Sequence, residues 1–245
     1  MKAILQRIRK IAQWGLALFF GTTILSVVVL KFLPVYYTPL MFIRLFQLDE
    51  MKLSHTWVTL DEMSPSMPLA VMASEDAKFP DHWGFDFEAI QYAAKRNKEH
   101  PEKNRLGAST ISQQTAKNVF LWPGRSWVRK GLEAYFTVLI EVFWSKERIM
   151  EVYLNSIEMG PGIYGVQAVA EEHFGCDAKD LTPNQCALIA ATLPNPLKFS
   201  SKNPSDYMVK RKFRIMKEMR FIPLFPREGQ DVDPRTVDGG IYKKK

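Results

Sequence analysis

The stretch that decides the fold runs from residue 109 to residue 144 and reads STISQQTAKNVFLWPGRSWVRKGLEAYFTVLIEVFW. Ser109 or Thr110 can cap a helix over about 111–120, because a hydroxyl accepts a hydrogen bond from a free amide of the first turn. WPGRS then interrupts the chain, and Ser126 begins a longer helix that runs to about Trp144. Its apolar face has helical spacing and comprises Leu132, Tyr135, Phe136, Leu139, Ile140 and Phe143.

Similar patterns extend the helical prediction in both directions. Asp86 can cap a helix over 87–100, and Ser145 can cap one that stops before Gly160. Further helical patterns cover about 166–173 and 183–193, and no alternating run predicts a strand. With 245 residues, 47% of them hydrophobic, the chain suits one medium domain plus accessory segments. We therefore predict a mainly α-helical domain over 57–225.

The N-terminus contains a candidate membrane anchor. Residues 11–30 carry no charge, and twenty helical residues span roughly 30 Å, the thickness of a bilayer core. The basic residues Lys2, Arg7, Arg9 and Lys10 precede this run and predict a cytoplasmic tail over 1–10 and an anchor over 11–33. A cleaved signal peptide is the alternative, but bulky residues follow the run where a small-residue cleavage site would be needed.

Two further segments flank the predicted domain. Residues 34–56 are apolar but interrupted by Pro39 and Arg44, so they either lie in the membrane interface or pack against the domain. Residues 226–245 are polar and predict a loosely ordered tail.

The net charge and the motifs present in the sequence limit the functions that this chain could have. The net charge of +7 predicts an anionic partner, and export of the domain favours membrane phosphates over nucleic acid. Cys176 and Cys186 lack metal-site spacing, and the chain contains no HExxH, GxSxG or P-loop pattern. The remaining candidates for chemistry are carboxylates, amides and cations.

Two adjacent acids, Glu75 and Asp76, end a short apolar run. Either could be a general base, or both could be surface charges at a helix end. The spacing of the residues alone does not choose between these interpretations.

A cationic cluster begins the long helix, where Arg129 and Lys130 precede Glu133 by four and three residues. It is either a surface ion pair or a phosphate site, and Lys117 and Lys146 could converge with it. A stripe of amides on the preceding helix, formed by Gln113, Gln114 and Asn118, is either a solvated face or a sugar-binding face.

Together these stretches resemble the peptidoglycan glycosyltransferases of glycosyltransferase family 51, in particular the monofunctional biosynthetic transglycosylases. The resemblance covers about 57–204 and rests on four ordered motifs. They are Glu75-Asp76-x-x-Phe79-x-x-His82-x-Gly84, Gly107-x-Ser109-Thr110-Ile111-x-Gln113-Gln114-x-x-Lys117-Asn118, Arg129-Lys130-x-x-Glu133, and Lys146-x-x-Ile149-x-x-x-Tyr153-Leu154-Asn155. EEHFGC at 171–176 departs from the family pattern, in a region that we expect to be structural.

The resemblance implies a lysozyme-like, mainly α fold and polymerisation of lipid II at the outer face of the bacterial inner membrane. It implies that Glu75 is the base and that Glu133 orients cations or holds a divalent metal, Mg or Mn; no organic cofactor is expected. Lys117, Arg129, Lys130 and Lys146 would bind the diphosphate, and the donor cleft would be shaped by Ser109, Thr110, Gln113, Gln114 and Asn118. Supporting roles fall to Asp76, Phe79, His82, Gly84, Tyr153 and Asn155.

The resemblance also implies partners: lipid II, the growing glycan chain and membrane phospholipid, with division or elongation proteins as further candidates. The larger relatives carry a transpeptidase domain as well. This sequence contains no S-x-x-K, so we expect no penicillin-binding serine and no transpeptidase activity.

Overall fold

The structure is a computed structural model that describes residues 2–47, 51–102, 105–124 and 126–225. The predicted polar tail, 226–245, lies outside the described residues. The chain divides into two compact units, Met1–Pro34 and Val35–Lys245, and each is described by itself.

The first unit is one long helix, α1 (Lys2–Leu30). By length and composition, the part from Ile4 to Leu30 is able to cross a membrane. The hydroxyls of Thr22 and Thr23 donate to carbonyls one turn earlier, so their polar atoms are satisfied within the helix. The predicted apolar helix is confirmed, and it begins at Lys2, so the basic residues of the predicted tail are helical too.

The second unit is mainly α-helical, as the sequence predicts. Its helices are α2 (Pro39–Leu45), α3 (Ser66–Glu75), α4 (Phe87–Glu99), α5 (Ile111–Phe120), α6 (Trp127–Phe143), α7 (Lys146–Ser156), α8 (Val166–Phe174), α9 (Pro183–Ala190) and α10 (Asp206–Glu218). Short 3-10 turns cover Leu60–Glu62, Phe79–Asp81 and Ala178–Asp180.

Side-chain caps begin the helices that carry the motifs. Asp86, Ser126 and Ser145 cap α4, α6 and α7 as predicted. Of the two candidates for α5, Thr110 is the cap, and it forms a reciprocal capping box with Gln113. Each cap satisfies an amide of the first helical turn, so the motif side chains start from a well-defined backbone.

The core of the unit lies around α5, which packs against α6 and α7, and around α3, which packs against α9 and α10. Fully buried side chains include Met67 of α3, Ile111 of α5 and Tyr153 of α7. Glu75 at the end of α3 accepts a hydrogen bond from Gln114 of α5, so two motifs that are distant in sequence meet there.

A small sheet was not predicted. It consists of β1 (Ser54–His55), β2 (Glu158–Gly160) and β3 (Ile163–Tyr164) in the order β1-β3-β2. Strand β3 pairs parallel with β1 and antiparallel with β2. Strands of two or three residues are too short to show a period of two, which is why the sequence pattern does not reveal them.

The apolar segment before the domain packs against it, which was one of the two predicted alternatives. Helix α2 lies against α5, and the side chain of Met41 is fully buried. Aromatic side chains of the same segment remain exposed: Tyr36, Tyr37, Phe42 and Phe46.

Helix α10 lacked a sequence prediction of its own, and α9 ends at Ala190, short of the predicted Leu193.

Candidate active site

Glu75 is the last residue of α3, and its side chain is 15% exposed. Its Oε1 accepts a hydrogen bond from Ser74 Oγ at 2.8 Å, and its Oε2 accepts one from Gln114 Nε2 at 3.2 Å. A carboxylate at a helix C-terminus is unfavourable against the helix dipole, so its position depends on such partners. The structure therefore holds Glu75 in one orientation while leaving it partly accessible.

A cation from α10 completes the surroundings of Glu75. Arg211 Nη2 lies 3.6 Å from Glu75 Oε1 and donates to Ser74 Oγ at 2.9 Å. Arg211 thus contacts the carboxylate directly and also holds the hydroxyl that donates to it. The sequence analysis missed this residue, although Arg211 lies three residues after Met208 and four before Ile215, both buried. That spacing places it beside the buried face of its helix.

Tyr153 lies behind Glu75 in the core. Its hydroxyl donates to Gln114 Oε1 at 3.3 Å, and Gln114 in turn donates to Glu75. Burial, reinforced by the charges of Glu75 and Asp76, raises the pKa of Tyr153 well above its ordinary value. Tyr153 therefore stays protonated and acts as a permanent donor that fixes the orientation of Gln114.

Asp76 has a structural role. Both of its oxygens lie 3.0 Å from His82 Nε2, and Oδ2 also accepts from the backbone amide of Ile111 at 2.9 Å. Asp76 thereby joins the loop after α3 to the start of α5. Between the two acids that the sequence left undecided, this engagement of Asp76 favours Glu75 as the base.

The other residues of the first motif shape the loop. Phe79 is fully buried and stacks on Phe225 with ring centroids 5.8 Å apart. Gly84 has φ +77°, and a Cβ there would lie 2.7 Å from Thr137 Cγ2. The loop can approach α6 this closely only without a side chain at position 84.

The third motif forms a compact ion cluster on α6. Arg129 Nη1 donates to Glu133 Oε2 at 3.0 Å, and Lys130 donates to Glu133 Oε1. Arg129 and Glu133 are buried, whereas Lys130 is 45% exposed. Since both oxygens of Glu133 are engaged, this acid orients the two cations.

Lys117 of α5 lies among these charges. Burial lowers the pKa of Lys117; Arg129 and Lys130 lower it further, while Glu133 and Glu75 oppose the shift. Among the described residues, none accepts a hydrogen bond from its ammonium. The side chain is half-buried, and a partly desolvated ammonium without a hydrogen-bond acceptor is unfavourable, so this position is suited to an anion from outside the chain.

Lys146 belongs to a different cluster. Its Nζ donates to Glu141 Oε1 at 2.8 Å and to the carbonyl of His82, and it lies 4.6 Å from the ring centroid of Phe79. The sequence allowed Lys146 to converge with Lys117 and Arg129. In the structure its ammonium is instead engaged in holding the loop of the first motif against α6 and α7.

A cavity of about 480 Å³ lies in front of Lys117. Its polar lining includes Arg44, Gln114, Lys117, Asn118, Arg129 and Glu158. Its apolar lining comes from α2, the loop after α5 and the loop at 193–197. Cations next to an apolar wall suit a ligand that joins a phosphate to a lipid chain. Gln114 lines this cavity and also contacts Glu75, so the candidate base and the cavity adjoin.

The predicted sugar-binding residues separate into three groups. Gln114 and Asn118 line the cavity. Thr110 and Gln113 are buried in the capping box of α5, and Ser109 is exposed just before it. Asn155, which was predicted to have a supporting role, binds the backbone of Val58 through both ends of its amide, at 3.0 and 2.9 Å, and so fixes the segment before α3.

A family model described as Transglycosylase matches residues 44–220. The chain belongs to this family. A biosynthetic peptidoglycan transglycosylase of Bacteroides thetaiotaomicron is 55% identical over 98% of this chain and 96% of its own length. Proteins with the same name from Bdellovibrio bacteriovorus and Caulobacter vibrioides are 51% and 55% identical over 93% and 79% of this chain, and over 91% and 83% of their own lengths.

The matched span of this transglycosylase contains residues that the sequence motifs did not single out. Arg44, Glu158 and Arg211 all lie within it. Glu158 carries no sequence signal of its own, because the short buried strand that contains it is not visible in the sequence pattern. Arg44 looked like an interruption of an apolar segment, and only the packing of α2 on α5 brings it to the cavity.

The transglycosylase offers a poor fit to a protein-bound divalent metal. Glu133 is the predicted ligand, but both of its oxygens bind cationic side chains. Among the described residues, no group of three His, Cys, Asp or Glu side chains could hold a metal ion.

Proposed function

We propose that this transglycosylase polymerises lipid II into β-1,4-linked glycan strands for the bacterial cell wall. One observation carries the proposal: Lys117 presents a half-buried ammonium, which no described residue accepts a hydrogen bond from, to a cavity that adjoins Glu75. A diphosphate would supply the missing acceptor. The names of the relatives, which describe peptidoglycan synthesis, support the same substrate class.

Glu75 acts as the general base. It removes the proton from the 4-hydroxyl of the acceptor GlcNAc, and that oxygen attacks the anomeric carbon of the donor MurNAc. The bond from this carbon to the diphosphate oxygen breaks as the new bond forms, so the configuration inverts from α to β. Undecaprenyl diphosphate leaves with the bonding electron pair.

The leaving group needs charge compensation because a diphosphate departs as an anion. Lys117 and Arg129 face the cavity, and Glu133 orients Arg129 and Lys130. Such preorganised cations stabilise the developing charge without reorganising during the reaction. A single carboxylate near the reacting sugars is sufficient for this chemistry, since a diphosphate does not require the general acid used to cleave a sugar–sugar bond.

Membrane anchoring would keep the enzyme close to its lipid-linked substrate. We propose that α1 anchors the protein once in the inner membrane, with the basic N-terminus in the cytoplasm and the catalytic unit in the periplasm. The exposed aromatic side chains near α2 suit the headgroup region of phospholipids. Division or elongation proteins are further candidate partners, and transpeptidase activity is not expected.

Incubation of the full-length protein with lipid II tests the proposal. We expect glycan polymer and an equivalent amount of undecaprenyl diphosphate. Cleavage of preformed glycan without polymer would assign the protein to a lytic reaction instead. Neither product, from protein that is folded by circular dichroism, would favour a non-catalytic scaffold.

A further inference from the structure

Arg44 is a cation that α2 brings to the cavity. Its side chain is 26% exposed, and its Nε lies 3.4 Å from Glu158 Oε2. Charge-assisted hydrogen bonds usually measure about 2.7–2.9 Å. The Nε atom is buried and makes no directed hydrogen bond within the described part of the chain. The other recorded partner of Arg44 is Gln47, which accepts from Nη1 at 3.1 Å.

Glu158 forms only a weak ion pair with Arg44. It is a buried residue of β2, and the hydroxyl of Tyr164 donates to its Oε1 at 3.4 Å. Burial raises the pKa of Glu158, while Arg44 and Tyr164 oppose the shift. A carboxylate with two long contacts is incompletely stabilised in its charged form, so the ion pair holds Arg44 only loosely.

The cavity offers Arg44 a second partner. Arg44, Lys117 and Arg129 all line it, and Glu158 is the only acid among its described lining residues. An anion bound to Lys117 and Arg129 would therefore occupy the same cavity that Arg44 lines. Arg44 has five N–H donors, so it can contact that anion while keeping its bond to Gln47.

We infer that Arg44 is a further anion-binding residue of the cavity, paired with Glu158 in the absence of ligand and turned to the diphosphate when the ligand binds. This inference rests on the proposed function for the identity of the anion. It implies that the membrane-proximal helix completes the substrate site, since α2 must be docked on α5 for Arg44 to reach the cavity. The alternative role for Arg44 is a purely structural one, fastening α2 to β2.

Two substitutions separate these roles, because they change binding in opposite directions. Arg44→Ala removes the cation, whereas Glu158→Gln keeps the side-chain size and releases Arg44 from its competing partner. For a ligand residue, Arg44→Ala should weaken binding of inorganic diphosphate to the full-length protein in detergent by roughly tenfold, the loss of one charge-assisted hydrogen bond. Glu158→Gln should tighten it severalfold. If Arg44 only stabilises the packing of α2 against β2, both variants should lower Tm and neither should tighten diphosphate binding.

Glu158→Gln also deletes a negative charge near the ligand, and this alone could tighten diphosphate binding. The double variant Arg44→Ala/Glu158→Gln separates that effect from the release of Arg44. If Arg44 binds the anion, the gain from Glu158→Gln should largely disappear when Arg44 is alanine. An equal gain in both backgrounds would overturn the inference. Lys95→Ala, which deletes an exposed cation of α4, is the matched control and should leave diphosphate binding unchanged.

The lipid II assay on the same preparations distinguishes this inference from the proposed function. Absence of polymer from the wild-type protein would count against the proposed function, while diphosphate binding would still test Arg44. If wild-type protein makes polymer, Arg44→Ala should raise KM for lipid II more than it lowers kcat. An unchanged KM together with unchanged diphosphate affinity would overturn the inference.

Discussion

Gln114 Nε2 donates a hydrogen bond to Glu75 Oε2 at 3.2 Å, although 39 residues separate the two in sequence. The same amide accepts from Tyr153 through its oxygen and lines the cavity that contains Lys117. Gln114 therefore connects the candidate base to the buried core on one side and to the cavity with Lys117 on the other. Its orientation is not free to invert, because Tyr153 remains a donor.

Replacing Gln114 should impair catalysis through Glu75. Gln114→Leu removes both hydrogen bonds at similar volume, and we expect kcat for lipid II polymerisation to fall by roughly tenfold, about the worth of a hydrogen bond to a charged group. Gln91→Leu, at an exposed position of α4, is the control and should retain the wild-type kcat. Equal rates for the two variants would contradict a positioning role for Gln114.

Glu75→Gln should nearly abolish turnover while substrate binding survives. The amide preserves the shape of the side chain but cannot accept the proton, and general bases contribute about 10²–10⁴-fold to rate. Single-turnover polymer formation and lipid II binding measure the two effects separately. More than about a tenth of the wild-type rate would be incompatible with Glu75 as the base; Glu99→Gln on the exposed face of α4 controls for loss of an acid.

Lys117→Met should remove diphosphate binding without unfolding the protein. The substitution deletes a desolvated ammonium, so we expect Tm to stay equal or to rise, while KM for lipid II increases by at least tenfold. Lys95→Met deletes an exposed ammonium instead and should change neither quantity. A large fall in Tm with unchanged KM would show that Lys117 has a structural role.

Arg211→Ala should lower kcat more than it affects KM, because Arg211 contacts Glu75 Oε1 and the Ser74 hydroxyl and does not line the cavity. Arg211→Lys retains the charge and should recover part of the loss. If lysine gives no recovery and both variants unfold at lower temperature, the contribution of Arg211 is packing of α10 on α3.

Gly84→Ala should destabilise the protein by about 2–4 kcal/mol, from a strained positive φ and a steric conflict with the buried Thr137. Gly131→Ala is the matched control: its Cβ would meet nothing within 4 Å, and it lies within α6. That variant should be stabilised by about 0.5–1 kcal/mol. Thermal unfolding in detergent measures both, and equal Tm values would contradict the close approach at Gly84.

The helices were largely predictable because their signals are local. Asp86, Ser126 and Ser145 each accept a hydrogen bond from an amide three residues later. The capping residue is therefore adjacent in sequence to the helix that it begins. The cluster of Arg129 with Glu133 is similarly encoded by the four-residue spacing of one helix face. Residue spacing and the family resemblance together predict Glu75 as the base, and this stays a prediction.

Contacts between distant segments were decided only by the tertiary structure. Arg211 and Ser74 meet across 137 residues, and the pairing of Arg44 with Glu158 depends on the packing of α2 and β2. The sequence also did not predict that Lys117 lines the cavity while Lys146 donates a hydrogen bond to Glu141. Helical periodicity specifies which residues share a face, but the partner of that face depends on how the whole core packs. The sequence by itself determined the helices, the candidate base and the set of cations; the packing of α3, α5 and α10 determined which of those charges meet.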